Sequence, residues 1–303
     1  MLILANTDIP NQFLVMISSP KNLFKYVHPD RIDILEKLQI RFTQPSRFND
    51  PFEVLPSIDG FDVKRIETAE EQVHRNLFGE YKRKGGELSF EEFRRIQAAH
   101  NRKAIDALKD PQIFKERAIA RELRHWDKHI GILSVSATEK NLLMWAHYTK
   151  SHEGMVIEFD PKHPFFSPSG KSPDVDFGIL TEVIYSKVRP RIISGKPTTV
   201  DDLKMLRTKS DEWEYEQEWR VFQLLEKSDE KIPRGNETVH LFKLPPKAIK
   251  RVIIGCRMED VATRLRIINA IKMNPELKHV QIHEAVRELD EFGLKYVPLR
   301  YDL

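Results

Sequence analysis

The amino-acid sequence predicts an α+β fold: a mixed β-sheet core with an inserted helical lobe and a C-terminal βαβ unit. Runs of β-branched and aromatic residues, typical of strands, recur near the N-terminus, in the middle and near the C-terminus. Residues 63–129 are instead dense in Glu, Lys and Arg, which favours a lobe of about three helices. Residues 248–290 show the order strand, amphipathic helix, strand. We treat residues 1–303 as a single domain that contains both parts.

The composition bounds the class of protein. Of 303 residues, 40% are hydrophobic and 31% are charged, as expected for a soluble globular chain with a substantial core. The 49 basic and 46 acidic residues leave a net charge of only +3, which gives no global argument for a nucleic-acid partner. Cys256 is the single cysteine, which excludes an intrachain disulfide and a cysteine-based zinc site.

The N-terminus gives no sign of export or membrane insertion. No basic region precedes its short apolar run, so it is a poor signal peptide. No stretch of about 18 apolar residues occurs, which predicts that the chain has no membrane span. We therefore expect a cytoplasmic protein without a membrane partner.

The N-terminal strands lead into a turn at Asn49-Asp50-Pro51. Asp50 precedes proline, which disfavours helical dihedrals and predicts the turn. Phe48 and Phe52 would anchor the loop against the core. The polar side chains of Asn49 and Asp50 either cap the turn itself or lie in a cleft with other polar segments.

The helical lobe carries two local signals. Ser89 and Glu92 have the spacing of a capping box, which predicts the start of a helix. Arg117, Arg121 and Arg124 recur at spacings of four and three and would share one helical face. That face is either solvated or a phosphate-binding stripe.

The middle of the chain supplies a strand and a helix with polar groups. In the strand 131–137, Ser134 and Ser136 would lie on one face. In the helix that follows, Trp145 and Tyr148 share the apolar side, whereas His147 falls off it.

Residues 213–222 alternate strictly between aromatic or apolar and charged side chains. This period predicts a strand with Trp213 on its buried face and Glu214, Glu216, Glu218 and Arg220 on the other. A row of repelling carboxylates suggests a strand that lines a cleft. The alternative is an exposed polar face with Arg220 paired to Glu218. Trp145 and Trp213 are both predicted to be buried anchors.

The segments on either side of this stretch are predicted to be a helix over residues 203–209 and a polar loop over residues 228–237. Within the stretch, Glu218→Gln is expected to abolish activity and to leave the melting temperature close to that of the wild type.

Four segments form a recognisable set: Leu23–Tyr26, Arg47–Glu53, Leu143–Tyr148 with Glu153-Gly154, and Trp213–Arg220. Together they resemble the bacterial domain-of-unknown-function family 2971. The resemblance covers Leu23 to Gly255 and leaves the helical lobe as its variable part. It implies no particular reaction.

Three shorter motifs occur in the order Arg41, Ser134-Val135-Ser136 and Glu216-Gln217-Glu218. This order resembles that of one clade of ADP-ribosyltransferases, and it implies NAD as the substrate. In that scheme the arginine would bind the diphosphate, and the serines would bind the ribose or hold the strand register. A carboxylate would stabilise the cationic centre left as nicotinamide departs.

These observations give a set of candidate residues and three candidate functions. The first function is an ADP-ribosyltransferase-like effector or toxin that binds NAD and modifies a nucleic-acid or protein acceptor. The second is a metal-dependent nuclease in which Asp50, Glu216 and Glu218 hold Mg²⁺. The third is a non-catalytic binding module. The candidate catalytic residues are Glu218, Glu216, His147 and Tyr148, and the candidate cofactor-binding residues are Arg41, Asn49, Asp50, Ser134, Ser136 and Arg220.

Overall fold

A computed structural model describes residues 20–55, 57–61, 63–100, 111–166, 178–194, 204–235 and 237–299. The strands are β1 Leu23–Val27, β2 Gln39–Phe42, β3 Ser57–Phe61, β4 Ile130–Ser136, β5 Met155–Phe159, β6 Leu180–Glu182, β7 Ile184–Tyr185, β8 Arg191–Ser194, β9 Thr208–Lys209, β10 Glu218–Leu224, β11 Glu230–Arg234, β12 Glu237–Lys243, β13 Ile249–Ile254, β14 Gln281–Arg287 and β15 Leu294–Pro298. The α-helices are α1 Asp33–Lys37, α2 Val63–Arg83, α3 Phe90–His100, α4 Pro111–His129, α5 Leu142–Tyr148 and α6 Val261–Lys272.

The α+β prediction is confirmed. An eight-stranded mixed sheet has the order β15-β14-β13-β5-β1-β4-β10-β6, and β11, β12 and β2 form a separate three-stranded sheet. In the larger sheet β13 and β14 are parallel, and the other neighbouring pairs are antiparallel. All five residues of β5 are buried, which places it in the centre of the core. Such a continuous apolar run is typical of a strand covered on both faces.

The predicted βαβ unit is also present. Strand β13, helix α6 and strand β14 follow one another, with Val252 beside Ile282 in parallel register. Asp260 caps the helix by accepting a hydrogen bond from the Ala262 amide at 3.1 Å, as expected for an acidic N-cap residue. Ile267 and Ile271 are buried one helical turn apart and hold the helix against the sheet.

The helical lobe contains α2, α3 and α4. The capping box is observed: the Ser89 amide donates to Glu92 Oε2 at 2.9 Å, and the Glu92 amide donates to Ser89 Oγ at 3.3 Å. Helix α4 returns to the sheet and buries Trp126 in a cluster of apolar side chains. Arg117, Arg121 and Arg124 are all exposed.

Three local predictions were wrong. Residues 213–222 do not form one strand: Asp211–Glu216 is a 3₁₀ helix, and only Glu218–Leu224 is strand β10. The helix predicted for residues 203–209 is a short helical turn followed by β9. The polar stretch 228–237, predicted as a loop, contains strand β11, whose side chains are largely exposed. Its exposure explains the missing hydrophobic signal.

Strands β4 and β10 pair over their whole length and set the register of the polar side chains. Glu218 lies beside Ser136, and Arg220 lies beside Ser134. The predicted serine and glutamate motifs are therefore neighbours in the sheet. No helix in the described part of the chain is long and apolar enough to cross a membrane.

Candidate active site

Five charged side chains form a buried network at one end of strand β10. They come from three separate parts of the sequence, and each is at most 6% exposed at the side chain. Removing charges from water is costly unless they are closely paired, so their positions must be tightly fixed. The members are Glu53, Lys209, Glu216, Glu218 and Arg220.

Lys209 is the centre of this network. Its Nζ atom donates to Glu216 Oε2 at 2.6 Å and to Glu218 Oε2 at 3.1 Å, and lies 3.6 Å from Glu53 Oε2. It also lies 4.8 Å from the centroid of the Trp213 ring. One ammonium group therefore contacts three carboxylates and an aromatic face, which fixes the two site glutamates relative to each other.

Arg220 is the second cation of the network and contacts two of its carboxylates. Its Nε atom donates to Glu218 Oε1 at 2.8 Å, and its Nη2 atom donates to both Glu218 and Glu53. The Leu206 carbonyl accepts a further hydrogen bond, and the Phe48 ring lies 5.1 Å from the guanidinium carbon. Both oxygens of Glu218 are thus held by cations, which favours one orientation of the carboxylate.

A tight turn brings Glu216 and Glu218 to the same cation. Gln217 ends the 3₁₀ helix in the left-handed conformation, with φ of 45°, and β10 begins at the next residue. Ser136 secures this turn because its Oγ atom donates to the Glu216 carbonyl at 2.6 Å. Tyr185 also secures it, since its hydroxyl accepts a hydrogen bond from the Glu218 amide at 2.7 Å.

Helix α5 is tied to the same turn. Asn141 caps the helix by accepting from the Leu143 and Met144 amides, and its Nδ2 atom donates to the Tyr215 carbonyl at 3.2 Å. This places Tyr148, at the other end of the helix, beside Glu216. The Tyr148 hydroxyl donates to Glu216 Oε1 at 2.5 Å.

The network forms one wall of a cavity of about 240 Å³. The wall carries Glu216, Glu218, Lys209 and Tyr148, and other parts of the cavity carry Lys25 and Arg47. Lys25 Nζ donates to the Ser134 carbonyl at 2.8 Å, and Arg47 Nε lies 3.2 Å from Glu237 Oε2. The remaining lining residues are Phe24, Tyr26, Thr43, Phe48, Asn49, Ile132, Ser134, Val135, Ser136 and Met144.

Burial shifts the pKa values of the groups around this cavity. It raises the pKa of Glu218, an effect that Lys209 opposes and Glu216 reinforces. Burial alone would lower the pKa of Lys209, but attraction to Glu218 and Glu216 outweighs it, so the pKa is raised. Burial lowers the pKa of Lys25 to about 8, and attraction to Glu218 only partly offsets this.

The network has three carboxylates and two cations, so its ionised form carries one excess negative charge. The ammonium group of Lys25 lines the same cavity and is attracted to Glu218 and Glu216, so it can offset this charge. The cavity is therefore suited to a ligand with both a cationic and an anionic part. The electrostatic field of such a site is strong because its charges are fixed and screened from water.

The structure brings together six of the ten predicted site residues at the cavity: Asn49, Ser134, Ser136, Tyr148, Glu216 and Glu218. Asn49 Nδ2 lies 3.3 Å from the Tyr148 hydroxyl, so the two distant segments do meet. Arg220 lies behind the wall and contacts Glu218. Ser136 serves mainly the backbone, through the Glu216 carbonyl and the Thr138 amide.

Besides Arg220, three predicted residues lie outside the cavity lining. Asp50 accepts a hydrogen bond from the Phe52 amide at 2.8 Å and so caps its own turn, which is the first of the two roles predicted for it. Arg41 belongs to β2 in the smaller sheet and lies 3.5 Å from Glu237. His147 is exposed and lies 3.2 Å from the Tyr215 hydroxyl. In each of the three cases the side chain contacts a partner outside the cavity lining.

The two tryptophans differ. Trp145 is fully buried, as predicted, and its indole donates to the Glu139 carbonyl at 2.9 Å. Trp213 is only half-buried, so the prediction of a buried anchor was wrong. Its ring lies against Lys209 and near His147, because the 3₁₀ helix turns it toward the site and away from the core.

Three charged residues of the site were not among those predicted from the sequence: Glu53, Lys209 and Lys25. Lys209 lies in a segment that was predicted to be helical, where a lysine carries no signal. Glu53 follows the Asn49-Asp50-Pro51 turn and was treated only as part of that loop. Lys25 interrupts the aromatic and apolar residues of β1, and this charged position inside a core strand was the one available signal.

Comparison with known proteins adds one finding. Residues 144–221 match the model of a family described as "Protein of unknown function (DUF2971)". The matched segment is roughly a quarter of the chain and contains Tyr148, Lys209, Glu216, Glu218 and Arg220. No curated protein and no solved structure matches the chain significantly.

Proposed function

We propose that the cavity binds NAD and that its carboxylate wall promotes cleavage of the bond between nicotinamide and ribose. The ADP-ribosyl group would pass to a nucleic-acid or protein acceptor, or to water. The observation that carries this proposal is that fixed carboxylates and cations line the same cavity. Glu216 and Glu218 form one wall, and Lys25 and Arg47 lie in the same cavity.

The carboxylate wall suits the cationic end of NAD. Nicotinamide is positively charged in NAD, and a positive charge develops on the ribose as the glycosidic bond breaks. The electron pair of that bond returns to the nicotinamide nitrogen, and the acceptor supplies a new pair to the ribose carbon. Fixed carboxylates favour this transition state electrostatically. Because Glu218 already accepts from Lys209 and Arg220, it acts through its charge and not as a nucleophile.

Tyr148 is the group best placed to contact the ribose. Its hydroxyl donates to Glu216 and accepts from Asn49, so a ribose hydroxyl could replace Asn49 without breaking the Glu216 contact. Lys25 and Arg47 suit the diphosphate, since both provide donors for phosphate oxygens. Ligand pockets commonly measure about 300–1,000 Å³, so the smaller cavity here would hold nicotinamide, its ribose and the adjoining phosphate, with the rest of NAD outside it.

The test is release of nicotinamide from NAD by the purified full-length protein. Tyr148→Phe keeps the ring and removes the hydroxyl, and activity should fall about 100-fold, as for loss of one positioned catalytic group. Tyr215→Phe is the matched control, because its hydroxyl contacts His147 outside the cavity, and it should retain wild-type activity. Wild-type protein that releases no nicotinamide with any nucleic-acid or protein acceptor would refute the proposal.

Assays of nucleic-acid cleavage and of NAD binding, run beside the nicotinamide-release assay, separate the alternatives. Cleavage of nucleic acid only when Mg²⁺ is added would favour a nuclease. The positions do not favour it: Asp50 lies outside the cavity lining, and Lys209 occupies the space between Glu216 and Glu218. In the described ranges, no three His, Cys, Asp or Glu side chains are grouped to hold a metal ion. Binding of NAD without turnover would favour the binding module.

A further inference from the structure

A second cavity, of about 380 Å³, lies between helix α4 and the segment that connects β7 to β8. We call it the basic groove. Gln112, Lys115, Glu116 and Ile119 form its helical wall, and their spacing of three, one and three places them on one face of α4. The opposite wall and floor are Ser57, Lys187, Val188, Arg189 and Arg191.

The groove has a surplus of positive charge. Lys115, Lys187, Arg189 and Arg191 line it, all four are exposed, and Glu116 is the carboxylate of the lining. Asp211 is near its rim, 3.8 Å from the Lys187 ammonium group. Cations from two elements thus face one concave surface, although the whole chain is almost neutral. Such a local excess attracts polyanions.

An exposed aromatic ring lies beside the groove. Phe52 is 67% exposed, which is unusual for so large an apolar side chain. The guanidinium carbon of Arg189, a groove residue, lies 5.7 Å from its ring centroid. Phe52 belongs to the turn that carries Asn49 to the first cavity and Glu53 to the buried network. The ring therefore links the basic groove to the candidate active site.

We propose that the basic groove binds the phosphodiester backbone of a single-stranded nucleic acid and that Phe52 stacks on one of its bases. Concave cationic surfaces with an adjacent aromatic ring are how proteins bind single strands without strong sequence preference. An anionic membrane would meet a broad flat surface of cations, and an acidic peptide would have no use for the ring. This inference concerns binding alone and stands whether or not the first cavity binds NAD.

The experiment measures fluorescence anisotropy of a labelled oligodeoxythymidylate titrated with the full-length protein, at salt concentrations of about 50 to 200 mM. With four cations engaged, the logarithm of the affinity should fall with the logarithm of salt at a slope of about 3. The double variant Lys115→Gln with Arg189→Gln should bind roughly tenfold more weakly, and its slope should be about 1.4 lower. Phe52→Ala should lose about fivefold or more in affinity at an unchanged slope.

The matched control is Arg117→Gln with Arg124→Gln. Arg117 and Arg124 lie on the opposite face of the same helix, and their substitution removes the same amount of positive charge. This control variant should therefore bind the oligonucleotide as the wild type does. Equal weakening by both double variants would show that only net charge matters and would overturn the proposal. So would stronger binding to phosphatidylserine vesicles or to polyglutamate than to the oligonucleotide. Circular dichroism checks that each variant is folded.

Discussion

The buried carboxylate of Glu218 has a structural role in addition to any chemical one. It accepts hydrogen bonds from both Lys209 and Arg220, so its loss leaves two buried cations with fewer partners. Breaking such a pair from one side costs about 3–5 kcal/mol. The sequence alone suggested that Glu218→Gln would abolish activity without changing stability, and the structure leads to a different expectation.

We therefore expect Glu218→Gln to lower the free energy of unfolding by about 3 kcal/mol or more. Urea denaturation followed by tryptophan fluorescence measures this change. The control is Asn49→Ala, which removes an exposed amide and should shift stability by less than about 0.5 kcal/mol. If Glu218→Gln unfolds with the wild-type midpoint, the five-residue network contributes little to the fold.

The lowered pKa of Lys25 predicts how ligand binding depends on pH. Because its pKa is lowered to about 8, the ammonium group is mostly charged at pH 7 and mostly neutral at pH 9. Affinity for an anionic ligand such as ADP-ribose should therefore be highest below pH 8 and fall as the pH rises through it. Loss of a charged hydrogen bond of about 1.5–3 kcal/mol corresponds to roughly tenfold or more. Isothermal titration calorimetry between pH 6.5 and 9.5 would test this range.

Lys25→Met is the informative variant for that measurement. It should bind the ligand weakly at every pH, with no fall between pH 7 and 9. The proton linkage also has a definite sign: the unfolded lysine binds its proton more tightly than the folded one. Wild-type stability should thus rise with pH above about 8, and the variant should lack this rise. A wild-type affinity that is constant through pH 8 would exclude Lys25 from the ligand contacts.

At the scale of elements, the turn at Gln217 explains why residues 213–222 were misread. A 3₁₀ helix followed by one left-handed residue can present alternate side chains much as a strand does. Periodicity cannot separate the two, and glutamine gives no hint of a positive φ. The pattern still predicted that Glu216 and Glu218 lie together, because both conformations place them on one side.

The left-handed conformation of Gln217 predicts how substitutions at this position change stability. A residue other than glycine in the left-handed region costs about 1–2 kcal/mol, and a β-branched one costs more. Gln217→Gly should therefore leave stability equal or improved. Gln217→Ile should lower it by on the order of 1 kcal/mol, because a β-branched side chain costs more in this conformation than the glutamine already does. Chemical denaturation of both variants makes the comparison, with Gln223→Ile in the regular part of β10 as the control. Similar effects of isoleucine at both positions would argue against a strained turn.

At the scale of the whole molecule, the sequence predicted the fold class and the core strands better than the site. Strands β1, β4, β5 and β13 are marked by apolar runs whose burial follows directly from composition. The site instead requires Glu53, Lys209 and Lys25, which come from three distant segments. Their meeting is decided by strand order and turn geometry, and neither leaves a periodic signal in one sequence.

Helices α2 and α3 pack against each other through aromatic side chains of their own. An aromatic cluster lies between them and contains Phe78, Tyr81, Phe90 and Phe93. The ring centroids are 5.3 Å apart for Phe78 and Phe90, 5.5 Å for Phe78 and Phe93, and 5.1 Å for Tyr81 and Phe93. The apolar clusters that hold the sheets contain no described side chain of either helix. A unit with its own small core opens at a lower free energy than the rest of the molecule.

Hydrogen exchange followed by mass spectrometry should therefore show faster exchange in α2 and α3 than in β1, β4 and β5. Phe93→Ala removes a ring that is 7% exposed and should speed exchange within these two helices alone, leaving the sheet and ligand binding unchanged. Val156→Ala, at a fully buried position in the centre of the sheet, should instead speed exchange throughout the strands. If Phe93→Ala accelerates exchange in the sheet as much as Val156→Ala does, the two helices unfold together with the sheet. The helical lobe would then contribute to the global stability of the candidate active site.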